Sequence, residues 1–298
     1  MWITIHRKIF YTISMILVIA SIVLIGVFGL KFGIDFTGGS ILEFTYSSDV
    51  LEKSQVESIL SNYDLGEYQL KETGRTGYIL KTKTISDDVK NSMESELSVN
   101  GNNPLTIDRF NTVGPTLGDE LKIKTVVALI VLSLIIIVFI AYTFRGVSTP
   151  VSSWKYGFVA IIALVHDIII AIGFFGLLGH MFGTEINTLF VTALLVILGY
   201  SINDTIVILD RVRENLKDKS DSYREKNFTE IVGKSLRETM ARSINTSLTT
   251  LLALLALYFI GAESTKDFAL ALIAGVFVGA YSSIFIAAPL LVSFKKGN

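Results

Sequence analysis

The sequence predicts a polytopic α-helical membrane protein with six transmembrane helices and one α+β domain between the first and second. Three observations lead there. Six apolar stretches, near 9–30, 123–144, 156–178, 186–209, 248–260 with its flanks, and 268–294, reach or approach the roughly 20 helical residues that cross a bilayer. Water-soluble residues are concentrated in one long block, 31–120, and in one shorter basic stretch, about 210–245. Only 18% of the 298 residues are charged and mean hydropathy is +0.56, values foreign to an ordinary soluble domain.

Composition also excludes. A net charge of −1 offers no footprint for nucleic acid. Absence of cysteine removes disulfides, thiolate metal sites and a cysteine nucleophile. His6, His166 and His180 are too scattered for a metal cluster. There is no Gly-x-x-x-x-Gly-Lys-[Ser/Thr] phosphate loop, so ATP hydrolysis is not expected. No cofactor is predicted.

Taken in order, residues 1–30 form a short N-terminus and the first span. Its apolar stretch exceeds a signal-peptide core and no small-residue cleavage site follows, so a retained anchor is expected. Basic residues set the orientation. His6, Arg7 and Lys8 precede span one, Arg145 and Lys155 flank the second connection, the fourth is rich in Lys and Arg, and Lys295 and Lys296 close the chain. The opposite loops are poor in basic residues, which predicts both termini in the cytoplasm and 31–120 outside.

Within 31–120 the pattern is β-α-β-β-α-β. A β run at 41–46 follows a glycine turn. A helix at 50–63 has Ser48 or Asp49 as cap. Strands at 67–71 and 78–82 flank a turn at 73–77. A Ser86-capped helix covers 86–99, and a last strand 105–110. That order predicts a ferredoxin-like sandwich. It carries no nucleophile–base pair, metal spacing or phosphate loop, so binding or leverage is expected of it, not catalysis. Its ends are marked by Gly33-Ile-Asp35-Phe36-Thr-Gly38-Gly39 and by Val113-Gly114-Pro115. These read either as plain linkers or as hinges between a rigid body and moving helices.

Residues 121–298 hold spans two to six, and here the chemistry concentrates. Asp204 lies in an almost wholly apolar run, more than a turn inside the charged end that starts at Asp210. An acid at that depth is costly unless neutralised, paired or hydrated, and is by default a functional candidate. Asn203 precedes it, and Gly199 on the same helix suits close packing by a neighbour. His166 and Asp167, in the middle of span three, either form a second relay pair or satisfy each other or a neighbouring helix. Arg242, at the start of span five, either snorkels to the interface or serves as an alternating counter-charge for Asp204. Between spans four and five, Asn227-Phe-Thr-Glu230 followed by Ile231, Val232, Leu236 and Met240 predicts a capped amphipathic helix on the membrane surface.

Together, Gly33-Ile-Asp-Phe-Thr-Gly-Gly, Val113-Gly-Pro, Ala163-Leu-Val-His-Asp, Gly199-Tyr-Ser-Ile-Asn-Asp-Thr and Arg242-Ser-Ile-Asn-Thr-Ser-Leu-Thr-Thr resemble the SecF family of bacterial protein-export membrane subunits, within the RND superfamily. The likeness runs in order over nearly the whole chain. It implies a multi-pass protein of the bacterial cytoplasmic membrane with SecD and the SecYEG channel as partners and an unfolded, translocating polypeptide as cargo. It also implies a proton gradient as energy source for a late stage of export, with Asp204 carrying the proton and Arg242 and Asn203 beside it. Two other functions fit the residues: an RND-type exporter of small molecules or lipids, for which 31–120 is small, and a non-conducting scaffold for SecD.

Overall fold

A computed structural model of the chain describes residues 2–47, 50–99, 101–145, 151–217 and 219–295. The chain divides into two compact units, one of residues 1–31 and 127–298, the other of residues 32–126. Elements follow in the order α1 (Trp2–Ile5), α2 (Arg7–Phe28), α3 (Ile34–Thr37), β1 (Gly39–Tyr46), α4 (Lys53–Leu60), β2 (Gln69–Thr73), β3 (Gly77–Thr82), α5 (Asp87–Leu97) and β4 (Leu105–Val113). Then come α6 (Pro115–Thr143), α7 (Ser153–Phe182), α8 (Thr188–Lys217), α9 (Asp221–Ile260), α10 (Glu263–Ser282), a π-turn (Ser283–Ala287) and α11 (Ala288–Ser293). Among the described residues, six helical stretches are long and apolar enough to cross a membrane.

Among the described residues of the unit 32–126, four antiparallel strands lie in the order β2-β3-β1-β4. Alternation along the strands sends Leu42, Phe44, Tyr46, Leu70, Tyr78 and Leu80 to one face, where they bury Val56 and Leu60 of α4 and Met93 and Leu97 of α5. The expected cap at Ser48 or Asp49 falls outside the described residues. Helix α4 starts later, at a reciprocal box in which Glu52 and Gln55 satisfy each other's backbone. Ser86 caps α5 as its sequence position suggests, accepting from the Val89 amide at 3.4 Å. Strand β4 runs on to Val113, because its ladder with β1 continues as far as Gly39.

In the other unit the helices meet through small residues. A Cβ on Gly275 of α10 would stand 2.2 Å from Ile197 of α8, and one on Gly173 of α7 2.3 Å from Ser21 of α2. These glycines let the helix axes approach where lipid gives no hydrophobic reward for packing. Gly199 does not do this, since a Cβ there meets nothing within 4 Å.

The stretch 210–245 is not a loop. Helix α8 continues to Lys217, and α9 runs from Asp221 into the fifth span with one non-helical residue, Asn227. The segment read as a separate surface helix is thus the first part of that long helix. Its apolar side, Phe228, Ile231, Val232 and Leu236, is buried in the same core as Val212 and Leu216 of α8. That core, instead of a lipid surface, takes up the amphipathic face. Near the other end, Pro289 lacks an amide hydrogen and crowds the carbonyl one turn back, and the helix loosens into the π-turn just ahead of it.

Candidate intramembrane site

Helix α8 holds Ser201, Asp204 and Thr205 on buried faces and leaves Asn203 exposed. Asp204 is 9% exposed. Its Oδ1 accepts from the Ser243 hydroxyl of α9 at 2.5 Å. Its Oδ2 is buried and has no hydrogen-bond partner among the described residues. An unmatched carboxylate oxygen away from water is expensive, so this atom is poised to take a proton or a cationic donor. One turn earlier, the Tyr200 hydroxyl donates to Ser247 at 3.1 Å, again joining α8 to α9.

Asp167 of α7 is a different kind of acid. It is 1% exposed and satisfied on both oxygens. Oδ1 lies 2.9 Å from Nδ1 of His166, and Oδ2 accepts from Ser201 of α8 at 2.6 Å and from Ser282 of α10 at 2.8 Å. Thr205 and Ser283 bond at 2.8 Å beside it. Three helices are thereby pinned at one carboxylate. His166 stacks near Tyr281 with ring centres 6.4 Å apart, and its Nε2 has no partner among the described residues.

Of the residues singled out from sequence, His166, Asp167 and Asp204 are buried, whereas Arg242 is exposed. Among the described residues no ion pair joins Arg242 to Asp204. The hydroxyl that holds Asp204 belongs to the next residue, Ser243. Sequence reasoning named the cation and passed over Ser243 and Ser282. The available signal was a serine one residue from a candidate counter-charge, and two consecutive serines in an apolar helix.

The two glycine motifs come together within the unit 32–126. Gly38 has φ +76, and a Cβ there would lie 2.9 Å from Cα of Pro115. Gly39 has φ +137, and its Cβ would meet the Thr82 carbonyl at 2.7 Å. A Cβ on Gly118 would likewise meet the Phe36 carbonyl at 2.8 Å. Asp35 lies in the short helix α3 that Gly33 opens. Gly33 and Gly114 have no positive φ, and a Cβ on Gly114 would meet nothing within 4 Å.

Among the described residues, six helices long and apolar enough to span, with a buried acid in the fourth and an α+β unit inserted after the first, define a multi-pass membrane protein. Residues 92–297 match the family described as protein export membrane protein SecD/SecF, C-terminal, and residues 23–50 match the SecD/SecF GG motif. The chain belongs to the SecD/SecF family of protein-export membrane proteins. It is 36% identical to a protein translocase subunit SecF of Anaerolinea thermophila over 98% of this chain and 93% of that one. It is 38% identical to the SecF subunit of Thermobaculum terrenum over 97% and 92%. Among solved structures it is similar to SecDF, a translocon-associated membrane protein from Thermus thermophilus, with TM-score 0.79 and 31% identity over 98% of this chain. The match spans only 38% of that longer chain.

Proposed function

We propose that the chain acts in protein export by letting a proton move on and off Asp204 as the helices around it shift, in company with a SecD-type partner. The observation that carries this reading is the unmatched Oδ2 of Asp204 beside an Oδ1 held by Ser243. Arg242 is the residue next to Ser243, about 100° around α9. A turn of α9 would exchange a neutral hydroxyl for a guanidinium at the carboxylate, and so expel the proton; the reverse turn would readmit it. His166 and Asp167 are assigned a positioning role, since both Asp167 oxygens are already engaged.

The partner reading rests on exposure. Asn203 of α8 and Asn245 of α9 are exposed amides within spans, which lipid does not solvate. A second set of membrane helices would cover them, as the two-part SecDF protein's name suggests. The SecYEG channel and the unfolded cargo enter through the same family relationship. We assign the unit 32–126 to the ferredoxin-like class, supported by its β-α-β-β-α-β order and its strand order. The joint formed by Gly38, Gly39 and Pro115 would transmit movement between it and the spans. Lys and Arg cluster at the helix ends near 7, 145, 155, 217 and 295, which supports a cytoplasmic position for both termini and an exported α+β unit.

The energy suffices. One charge crossing 100 mV is worth about 2.3 kcal/mol, and one pH unit about 1.4 kcal/mol. A proton can bias a step of chain movement by a few kcal/mol, which rectifies sliding but does not unfold a cargo domain. The test is export into inverted membrane vesicles with and without a proton gradient. Asp204→Asn should assemble normally and lose the gradient-dependent gain. Full stimulation in that variant would leave the scaffold role as the answer.

A further inference from the structure

Below Asp204 lies a cleft of about 530 Å³. Its walls are Thr143 at the end of α6, Val207, Asp210, Arg211 and Glu214 of α8, and Glu238, Thr239 and Arg242 of α9, with Ile206 alongside. Helix geometry fixes its depth. Asp204, Val207 and Arg211 share one face of α8, and Thr239 and Ser243 share one face of α9. On those two faces the lining residues nearest the Asp204–Ser243 pair are Val207 and Thr239, each about one turn away. Five charged side chains line the remainder, and such a lining draws water in with it.

The outer part is clasped. Arg211 reaches across from α8, its Nε 2.6 Å from Glu238 Oε2 and its Nη1 2.5 Å from Glu214 Oε2. Asn215 donates to the same Glu238 oxygen at 2.9 Å. The other charges facing this region are committed too: Arg213 lies 3.4 Å from Asp210, and Lys234 3.7 Å from Glu238 Oε1. Arg145, at the end of α6, sits over the Tyr142 ring at 4.1 Å. Arg242 is the one guanidinium lining the cleft that makes no ion pair among the described residues.

We infer that this cleft is the aqueous port through which Asp204 exchanges its proton, with the Arg211–Glu214–Glu238 clasp as its gate. The inference rests on the proton-carrying reading of Asp204 and adds a route and a gate. In the outward step the O–H bond on Oδ2 breaks, its electron pair stays on the carboxylate, and the proton passes to a cleft water as hydronium. Return is the reverse. Glu238 and Arg211 are positioning residues here, holding α8 and α9 together across the opening.

The chain contains no cysteine, so single thiols report without a background from it. Val207→Cys and Thr239→Cys in the assembled export complex, in membrane vesicles of each orientation, are treated with a charged, membrane-impermeant methanethiosulfonate. Leu252→Cys, on an exposed apolar face of α9, is the lipid-facing control. Both port thiols should react from the side bearing residues 145 and 217 and from that side only. Adding Glu238→Gln should raise their reaction rate severalfold, and the modified Thr239→Cys complex should lose gradient-dependent export. Reaction no faster than at Leu252→Cys, or a rate indifferent to Glu238→Gln, overturns the port. If either variant fails to accumulate, Ile206→Cys samples the same wall. Asp204→Asn is assayed in parallel. Loss of stimulation there with silent port thiols sinks the port alone; retained stimulation sinks the proton reading and the port with it.

Discussion

Ser243 and Asp204 join α9 to α8 at 2.5 Å, and the serine stands next to the arginine that the sequence offers as the acid's counter-charge. Ser243→Ala leaves a buried carboxylate with neither oxygen matched, at a cost of about 1–3 kcal/mol. We expect a lower unfolding temperature in detergent and weaker gradient-dependent export. Ser243→Thr keeps the hydroxyl and should recover most of both. Equal loss in the Thr variant would show that bulk at this position, not the hydrogen bond, governs the result.

Gly275 permits α10 to lie against Ile197 of α8, where an added methyl would stand 2.2 Å from two side-chain carbons. Gly275→Ala should destabilise the helical unit by about 1–3 kcal/mol, the usual cost of overpacking. Ile197→Ala makes room, so the double variant should be less unstable than the sum of the two changes. Thermal unfolding of the four proteins gives the coupling. Gly199→Ala, with open space around it, should leave this chain's own stability unchanged.

The joint between the glycine turn and Pro115 makes a sharper claim than composition does. Gly38→Ala places a methyl in a left-handed backbone and against Cα of Pro115. Backbone strain alone costs about 1–3 kcal/mol. Gly74 also has a positive φ, +60, but its Cβ would meet nothing. Gly114 has neither constraint. Limited proteolysis of the full chain in membranes should rank susceptibility within 32–126 as Gly38→Ala, then Gly74→Ala, then Gly114→Ala near the parent.

Tyr46 gives a pH signature for the α+β unit. Burial, with Tyr78 alongside, pushes its phenol up to about 12. The folded value exceeds the ordinary 10, so the neutral form is favoured by folding. The stabilisation is fully present below pH 10 and is lost as pH rises through about 12. An alkaline titration followed by phenolate absorbance should show a late component that disappears in Tyr46→Phe. That variant also loses the 3.3 Å bond to the Leu97 carbonyl, worth roughly 1 kcal/mol.

Legibility followed the physics of each level. Hydropathy and length marked all six spans, because burial in lipid writes itself into twenty consecutive residues. Period-two and period-3.6 patterns placed the α+β elements to within a few residues. Asp204 and Asp167 were visible because an intramembrane acid is conspicuous. Their partners were not. Ser243, Ser201 and Ser282 are small and ordinary, and which helix face meets which is a tertiary fact. The close-packing glycines were missed for the same reason: Gly199 stood next to the conspicuous residues, while Gly275 and Gly173 did not. The fate of 210–245 turned on whether an apolar helix face finds protein or lipid, which one chain's pattern leaves open.

The π-turn at Ser283–Ala287 carries an extra residue relative to a regular helix, and with it Ser282 reaches Asp167 while its neighbour Ser283 reaches Thr205. In an unbroken α-helix consecutive side chains diverge by about 100°. Winding the same residues as an unbroken α-helix, instead of absorbing one of them in a wider turn, would swing all of α11 about a third of a revolution. Phe294, whose carbonyl receives the Lys155 ammonium at 2.7 Å, would then lose its mate. The spacing of a single surplus amino acid thus keeps the chain's tail in phase with its centre.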